Sequence, residues 1–285
     1  MAGTGFLTDD HRAVLERHAA VAMVPPLHRA QQVAGLVGLV LFTGFAVWWL
    51  DIPFDQIGPG ILQLGKFIAL MIPPTTGGNF MLFLKAMGET LAIAFLGTLI
   101  AAIVAFPIGF LAAKNTTPNG LLRFAIRRCL DTIRGVDTLI WALVFVGVVG
   151  LGPFAGILAI ATTDIGAYGK LFSEAIEAAD DRAREGVMAS GGGKWMAIRF
   201  GLLPQVMPII AGQVLYFFES NTRSATIIGI VGAGGIGLQL SEQIRTYDFD
   251  QVSFIILMIL VMVAAIDWLS GKLRFAIIGR RPSAH

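Results

Sequence analysis

The chain has 285 residues, of which 55% are hydrophobic and 14% charged. A soluble domain carries about 25% charged residues, so this chain has too little polar surface to cover a soluble core. Disorder, collagen and a coiled coil are excluded with it. The single cysteine, Cys129, excludes an internal disulfide and any multi-cysteine metal site. The four histidines (His11, His18, His28, His285) all sit in polar tails, and the net charge of +2 does not point to nucleic acid.

Taken in chain order, residues 1–30 are polar and end near Pro25-Pro26. They lack the early apolar run and cleavage site of a signal peptide. Thr8-Asp9-Asp10 suits a helix cap, and the segment is expected to be cytoplasmic. Residues 31–85 hold a first apolar run at 33–50, then 57–74, which is short and carries Lys66 at its centre. The latter reads as an interfacial helix on the outer side. Residues 86–271 form the core, with charge-free runs at 90–113, 138–163, 202–218, 224–240 and 251–266. A spanning helix needs about 20 apolar residues, and none of these runs shows the two-residue alternation of a barrel. Residues 272–285 complete the chain as a cytoplasmic tail.

Seventeen of the 21 lysines and arginines fall in four groups: before residue 30, at 114–134, at 170–199 and at 272–281. The positive-inside bias places all four groups in the cytoplasm. Even numbers of crossings must then separate them. Run 138–163 must supply two short spans turning near Gly150–Pro153. Run 224–240 must not cross; Gly229, Gly232, Gly234, Gly235 and Gly237 break it, which suits a discontinuous stretch lining a cavity. The reading is an all-α, polytopic membrane bundle of about six transmembrane helices with both termini in the cytoplasm.

Residues 174–208 are too polar for lipid and read as a cytoplasmic insertion. A helix is expected over 174–187, a break at Gly191-Gly192-Gly193, and a short amphipathic helix over 194–200. Leu203-Pro204 opens the next span, where a proline in the first turn is tolerated. Gly191-Gly192-Gly193-Lys194-Trp195 is not a phosphate loop, because Met188 stands where that motif needs glycine and Trp195 where it needs Ser or Thr. Gly232–Gly237 matches GxGxxG only formally, without the flanking strand that a dinucleotide site requires.

The insertion resembles the EAA loop of ABC importer permeases. That pattern is Glu-Ala-Ala, three residues, Gly, nine residues, Ile, one residue, Leu-Pro. Glu185, Gly191, Leu203 and Pro204 match it, while Gly186, Val187 and Gly201 depart from it. Residues 169–177 (GKLFSEAIE) and 218–238 (FESNTRSATIIGIVGAGGIGL) are similar to the permease subunit of phosphonate importers; methionine importer permeases share VGAGGIG but not ESNTRSAT. The resemblance runs from about Glu89 to Gly271.

It implies a type-I ABC importer permease for phosphonate or a related phosphorus oxyanion. The chain would not itself be an enzyme and would hold no catalytic residue, metal or cofactor, ATP and Mg being bound by a partner. Its partners would be a second permease copy in a homodimer, two ATP-binding subunits, an extracytoplasmic solute-binding protein and the lipid bilayer of the inner membrane. The ATPase-coupling residues would be Glu185, Gly186, Val187, Gly191, Lys194, Leu203 and Pro204. Candidates for the pathway or gate are Glu219, Asn221, Arg223, Gly232, Gly234, Gly235 and Gly237.

Ionisable groups at membrane depth are Asp131, Arg134, Asp137, Asp164, Glu219 and Arg223. Asp131 and Arg134 can pair at i, i+3. Glu219 and Arg223 can hold the helix break, or Arg223 can face the anion through forked hydrogen bonds. The rival readings are a permease of this architecture for methionine or another solute, an ion-driven secondary transporter, for which inverted repeats are not found, and an intramembrane hydrolase, for which no Ser–His, paired-Asp or metal set exists.

Overall fold

A computed structural model describes residues 26–51 and 53–279. Residues 1–25, with the expected cap at Thr8-Asp9-Asp10, and residues 280–285 lie outside the described residues. Every regular element among the described residues is helical. The chain divides into a unit ending at Lys66 and a larger one from Phe67. The first unit holds α1 (Pro26–Trp49), a 3-10 turn (Phe54–Gln56) and most of α2 (Ile57–Leu70). α1 is about 36 Å long at 1.5 Å per residue and exposes Leu36, Val37, Leu41 and Phe42 around its circumference. An all-apolar surface is stable in lipid, not in water.

The larger unit contains α3 (Phe80–Ala112), α4 (Gly120–Arg134), α5 (Thr138–Val149), α6 (Pro153–Glu177), α7 (Asp181–Ala189), α8 (Lys194–Ile230), α9 (Ile236–Arg245) and α10 (Phe249–Ile278). α3 is its axis. Its buried residues recur every three or four positions and are mostly small: Ala86, Thr90, Ala94, Gly97, Thr98, Ala101, Ala105 and Gly109. Small residues let helix backbones approach closely where lipid supplies no hydrophobic drive. A Cβ on Gly97 would come within 2.8 Å of Ile160, and one on Gly109 within 2.8 Å of Phe172. Three apolar clusters are strung along this axis. One joins Ala101 and Ala105 to Tyr168, Phe172, Val206 and Ile210. The second joins Ile93 to Ala142, Ile160, Ala225 and Ile228, and the third joins Phe83 to Ile236 and Ile255.

α1 from Gln31, α3, α8 and α10 are each long and apolar enough to cross a bilayer. α4 and α5 form a fifth candidate, bent by 85° at residues 135–137. α6 has 25 residues and is about 37 Å long, but Asp164, Lys170, Glu174 and Glu177 dilute its hydropathy.

Several expectations change here. The turn at Gly150–Pro153 is present, but α5 has 12 residues and at about 18 Å is too short to cross alone. It reaches spanning length only together with α4, as a bent pair, and α6 continues to Glu177 with Ser173, Ala175 and Ile176 buried. The polar stretch from Glu174 is therefore partly core. Asp180 then caps a separate α7 by accepting from the Arg182 N–H, so 174–187 is two helices rather than one. The glycine-rich run breaks only after Ile230; residues 224–230 extend α8.

The α3–α6 contact makes a stability prediction. Gly97→Val drives a branched side chain into Ile160 and is expected to destabilise the protein by about 1–3 kcal/mol. Thermal unfolding of the detergent-purified chain should show a lowered midpoint. Gly88→Ala, at an open position on the same helix, should not lower it, since alanine is the better helix former.

Candidate functional site

The motif residues separate into two regions. The first is the segment 177–205. Gly191 has φ +88°, a left-handed conformation that favours glycine, and the Gly192 N–H donates to the Val187 carbonyl (3.0 Å). The chain thus reverses and lays α7 along the beginning of α8. A Cβ on Gly201 would lie 2.8 Å from the Arg184 Cα, so only glycine permits this approach. Gln205 locks the pair, because its Oε1 accepts from the Asp180 N–H (3.0 Å) while its Nε2 donates to the Asp180 and Gly201 carbonyls (3.0 and 2.7 Å).

α8 does not restart at Leu203 as expected. It runs unbroken from Lys194, through a π-helical turn at Ala197–Leu202. Pro204 explains the wide turn, since it has no N–H to donate and its ring crowds the carbonyl four residues back. π turns of this kind recur at functional sites. α7 is tied to the end of α3, and the end of α6 is tied to α3 and α4. Arg184 donates to the Asn115 carbonyl (3.0 Å), Glu177 accepts from the Lys114 N–H (2.6 Å), and Arg127 pairs with Glu177 (2.7 Å).

Of the seven expected coupling residues, Glu185, Gly186, Gly191, Lys194 and Pro204 are exposed, and Val187 and Leu203 are half-buried. Beside them stand exposed Met188, Met196 and Phe200, and Trp195 at 84% exposure. Trp195, Ile198, Arg199 and Leu203 also border an open groove of about 740 Å³ with Phe106, Phe110 and Pro118. Arg184 and Gln205, which position the unit, were not among the expected residues. Neither belongs to a motif.

The second region is the glycine turn at 231–235. Gly232, Gly234 and Gly235 have φ of +95°, +84° and +76°. The turn folds back onto α8, where a Cβ on Gly229 would meet the Gly234 carbonyl at 2.5 Å. It also packs on the start of α6, where the Gly152 N–H donates to the Gly232 carbonyl (2.9 Å). The N-terminus of α9 is capped from another helix: Glu89 accepts from the Gly235 N–H (3.0 Å) and Thr90 from the Ile236 N–H (2.8 Å). The carboxylate also complements the positive end of the helix dipole. Glu89 and Thr90 were not singled out in the sequence, because a cap 146 positions away leaves no local signal.

Asn221 is buried about three helical turns before this region and donates to Thr98 Oγ1 (2.8 Å) and to Asp164. Asp164 is 4% exposed, so this bond links α3, α6 and α8 in the interior. Glu219 and Arg223 do pair (3.6 Å), yet they do not hold the break. Arg223 also pairs with Asp267 (3.2 Å), and Glu219 with Arg274 (2.9 Å). Two carboxylates and two guanidiniums thus neutralise one another between α8 and α10. The expected Asp131–Arg134 pair is absent. Asp131 instead pairs with Arg128 (3.2 Å) and Lys170 (3.3 Å). Among the described residues, no cluster of three metal-ligating side chains occurs.

Residues 105–277 match the family described as "Binding-protein-dependent transport system inner membrane component". The chain is 41% identical over 242 residues to the putative phosphite transport system permease protein HtxC of Stutzerimonas stutzeri, covering 84% of this chain and 86% of that one. It is 41% identical over 208 residues to the phosphate-import permease protein PhnE of Mycolicibacterium smegmatis, covering 73% of this chain and 39% of that one. The fold is similar to a chain of the inward-facing MetNI methionine ABC transporter, with TM-score 0.63 and 18% identity over 71% of this chain and 99% of that one.

The cross-helix cap makes a local prediction. Glu89→Ala with Thr90→Val leaves two α9 amides without acceptors, which should weaken this turn by about 1–2 kcal/mol. Amide hydrogen exchange over 231–245 should quicken, while exchange in α6 stays as it is.

Proposed function

The chain belongs to the family of binding-protein-dependent transport system inner membrane components, the permeases of ABC importers, and we propose that its cargo is a phosphonate or a related phosphorus oxyanion. The observation that carries the cargo is the pair of relatives at 41% identity, one named for phosphite and one for phosphate import. The run ESNTRSAT at 219–226 supports it over a methionine-type permease. Two copies of the chain form the pathway, with both termini in the cytoplasm. The four basic groups support this orientation.

Transport needs energy, which this chain receives rather than generates. ATP and Mg are held by two separate ATP-binding subunits, and a solute-binding protein delivers the anion from outside. The exposed surface of Glu185, Met188, Lys194, Trp195 and Phe200 is the surface we assign to the ATPase. Gln205 and Gly201 clamp α7 to α8, so a push on this surface is transmitted into a helix 37 residues long. That helix ends at the glycine turn, so the same rigid motion reaches Gly232–Gly237 at its other end. Packed elements move as units because they switch between discrete arrangements.

The test is reconstitution of the chain with its ATPase and binding protein in proteoliposomes. Uptake of labelled methylphosphonate or phosphite, driven by ATP and unaffected by excess methionine, is expected. Methionine uptake instead would overturn the cargo assignment. Gly201→Leu separates α7 from α8 and should reduce binding-protein-stimulated ATP hydrolysis at least tenfold while the permease remains in the membrane, a loss of about 1.4 kcal/mol of coupling.

A further inference from the structure

We propose that the groove between the end of α3 and the start of α8 binds an anionic phospholipid, with an acyl chain along α3 and the headgroup at Lys114 and Lys194. The inference needs α3 to cross the bilayer and does not depend on the cargo.

The site has two parts. The apolar part is the groove of about 740 Å³, whose walls include Phe106, Pro107, Phe110 and Leu111 of α3 and Trp195 and Leu203 of α8. The polar part is a second cavity of about 330 Å³, bordered by Lys114, Asn115, Arg184 and Lys194. Thr116, Pro118, Lys194 and Ile198 line both, so the two lie side by side. Among the described residues, no carboxylate lines either part. Arg184 is held by Asp181 (3.1 Å) and by the Asn115 carbonyl (3.0 Å). Lys114 and Lys194, both exposed, supply the positive charge offered to a ligand at this end.

The order of these groups matches the layers of a bilayer. Residues 90–113 carry no charge and extend about 36 Å, enough to cross a hydrocarbon core of about 30 Å. Phe106–Leu111 occupy the last turns of that stretch, and Lys114 is the first charge beyond it. The apolar wall and the basic end therefore follow one another where acyl chain gives way to headgroup. Leu99 and Ile103, exposed on α3, precede Phe106 and Phe110 at helical spacing and continue the same face back into the span. Trp195, at 84% exposure, is a ring of the kind enriched at this boundary. Basic side chains beside the boundary attract anionic lipid.

The two parts together select the occupant. A free phosphate would use the basic part alone, and a neutral lipid the apolar part alone. An anionic phospholipid uses both. Its headgroup would bridge Lys114, just after α3, and Lys194, which opens α8. Since α7 is clamped to α8 by Gln205, such a bridge fixes the whole coupling unit against the membrane. Lys194 and Trp195 lie at the margin shared with the surface assigned to the ATPase; Lys114 lies outside it and carries the test.

The complete transporter is reconstituted in phosphatidylcholine vesicles holding a minor fraction of phosphatidylglycerol with a photoactivatable acyl chain, and labelled peptides are mapped by mass spectrometry. Label is expected on residues 99–111 and 195–207, several-fold above that from phosphatidylcholine carrying the same chain. Lys114→Gln should lower it about fivefold, the scale of one basic side chain at an anionic surface, and Lys114→Arg should retain it. An unchanged thermal midpoint in Lys114→Gln shows that the fold is intact. Excess inorganic phosphate should not displace the label. Equal labelling by the two lipids, unchanged labelling in Lys114→Gln, label confined to other segments, or displacement by phosphate overturns the inference. So does label that appears on the permease alone and vanishes in the complete transporter, which marks the groove as a contact with a partner protein.

Discussion

The bundle depends on how closely α3 approaches α6. Gly97 and Gly109 remove the two side chains that would hold these helices apart, and Ile160 and Phe172 fill the space. The two glycines lie about 18 Å apart along the helix, so they set both the spacing and the register of the pair. Everything else that α3 does follows from that register. Glu89 and Thr90 reach the amides of Gly235 and Ile236, Thr98 meets Asn221 beside Asp164, and the Lys114 amide meets Glu177. A helix with bulky residues at 97 and 109 would stand away from α6 and lose all three connections together.

The chain treats its helix interruptions in different ways, and the treatment matches their surroundings. At 231–235 the backbone is enclosed, and carbonyls and amides find partners on α3 and α6. At 190–193 the turn is exposed and uses glycine conformation to fold α7 back. At 135–137 the Gly135 and Val136 amides donate to carbonyls at the end of α4, so the bend is closed by local hydrogen bonds. Buried polar groups left without partners destabilise a protein strongly, so the enclosed turn at 231–235 depends on the partners that α3 and the start of α6 supply. The charges divide similarly. Glu219, Arg223, Asp267 and Arg274 neutralise one another between α8 and α10, and Asp131 pairs with Arg128 and Lys170 between α4 and α6.

The helical class, the apolar runs and the break at Gly191 were legible because each is a local property. Hydropathy over about 20 residues marks a span without any knowledge of its neighbours, and three consecutive glycines weaken a helix wherever they occur. The helix ends were less legible. Asp180 looks like any charged residue of a polar segment until its side chain is seen capping α7. The π turn before Pro204 was missed because a proline near an apolar run reads as a helix start. Its neighbour Gln205, which holds α7 against α8, carries no pattern at all. The pairing of Asp131 was misread for a related reason: i, i+3 spacing toward Arg134 is visible along the chain, but Arg128 and, from α6, Lys170 are the partners it takes.

Composition and charge distribution by themselves determined that this is a helical membrane protein with one polar segment of special character. Those are sums and periodicities over neighbouring residues, and the bilayer reads them directly. Tertiary packing alone decided which partners the scarce ionisable groups take. Asp164 and Arg223 look equivalent along the chain, since each is a charge within or beside an apolar run. Only their placement against other helices distinguishes them, because the free energy of a charge in a low-dielectric medium is set by the groups within a few ångströms, and most of those lie far away in sequence.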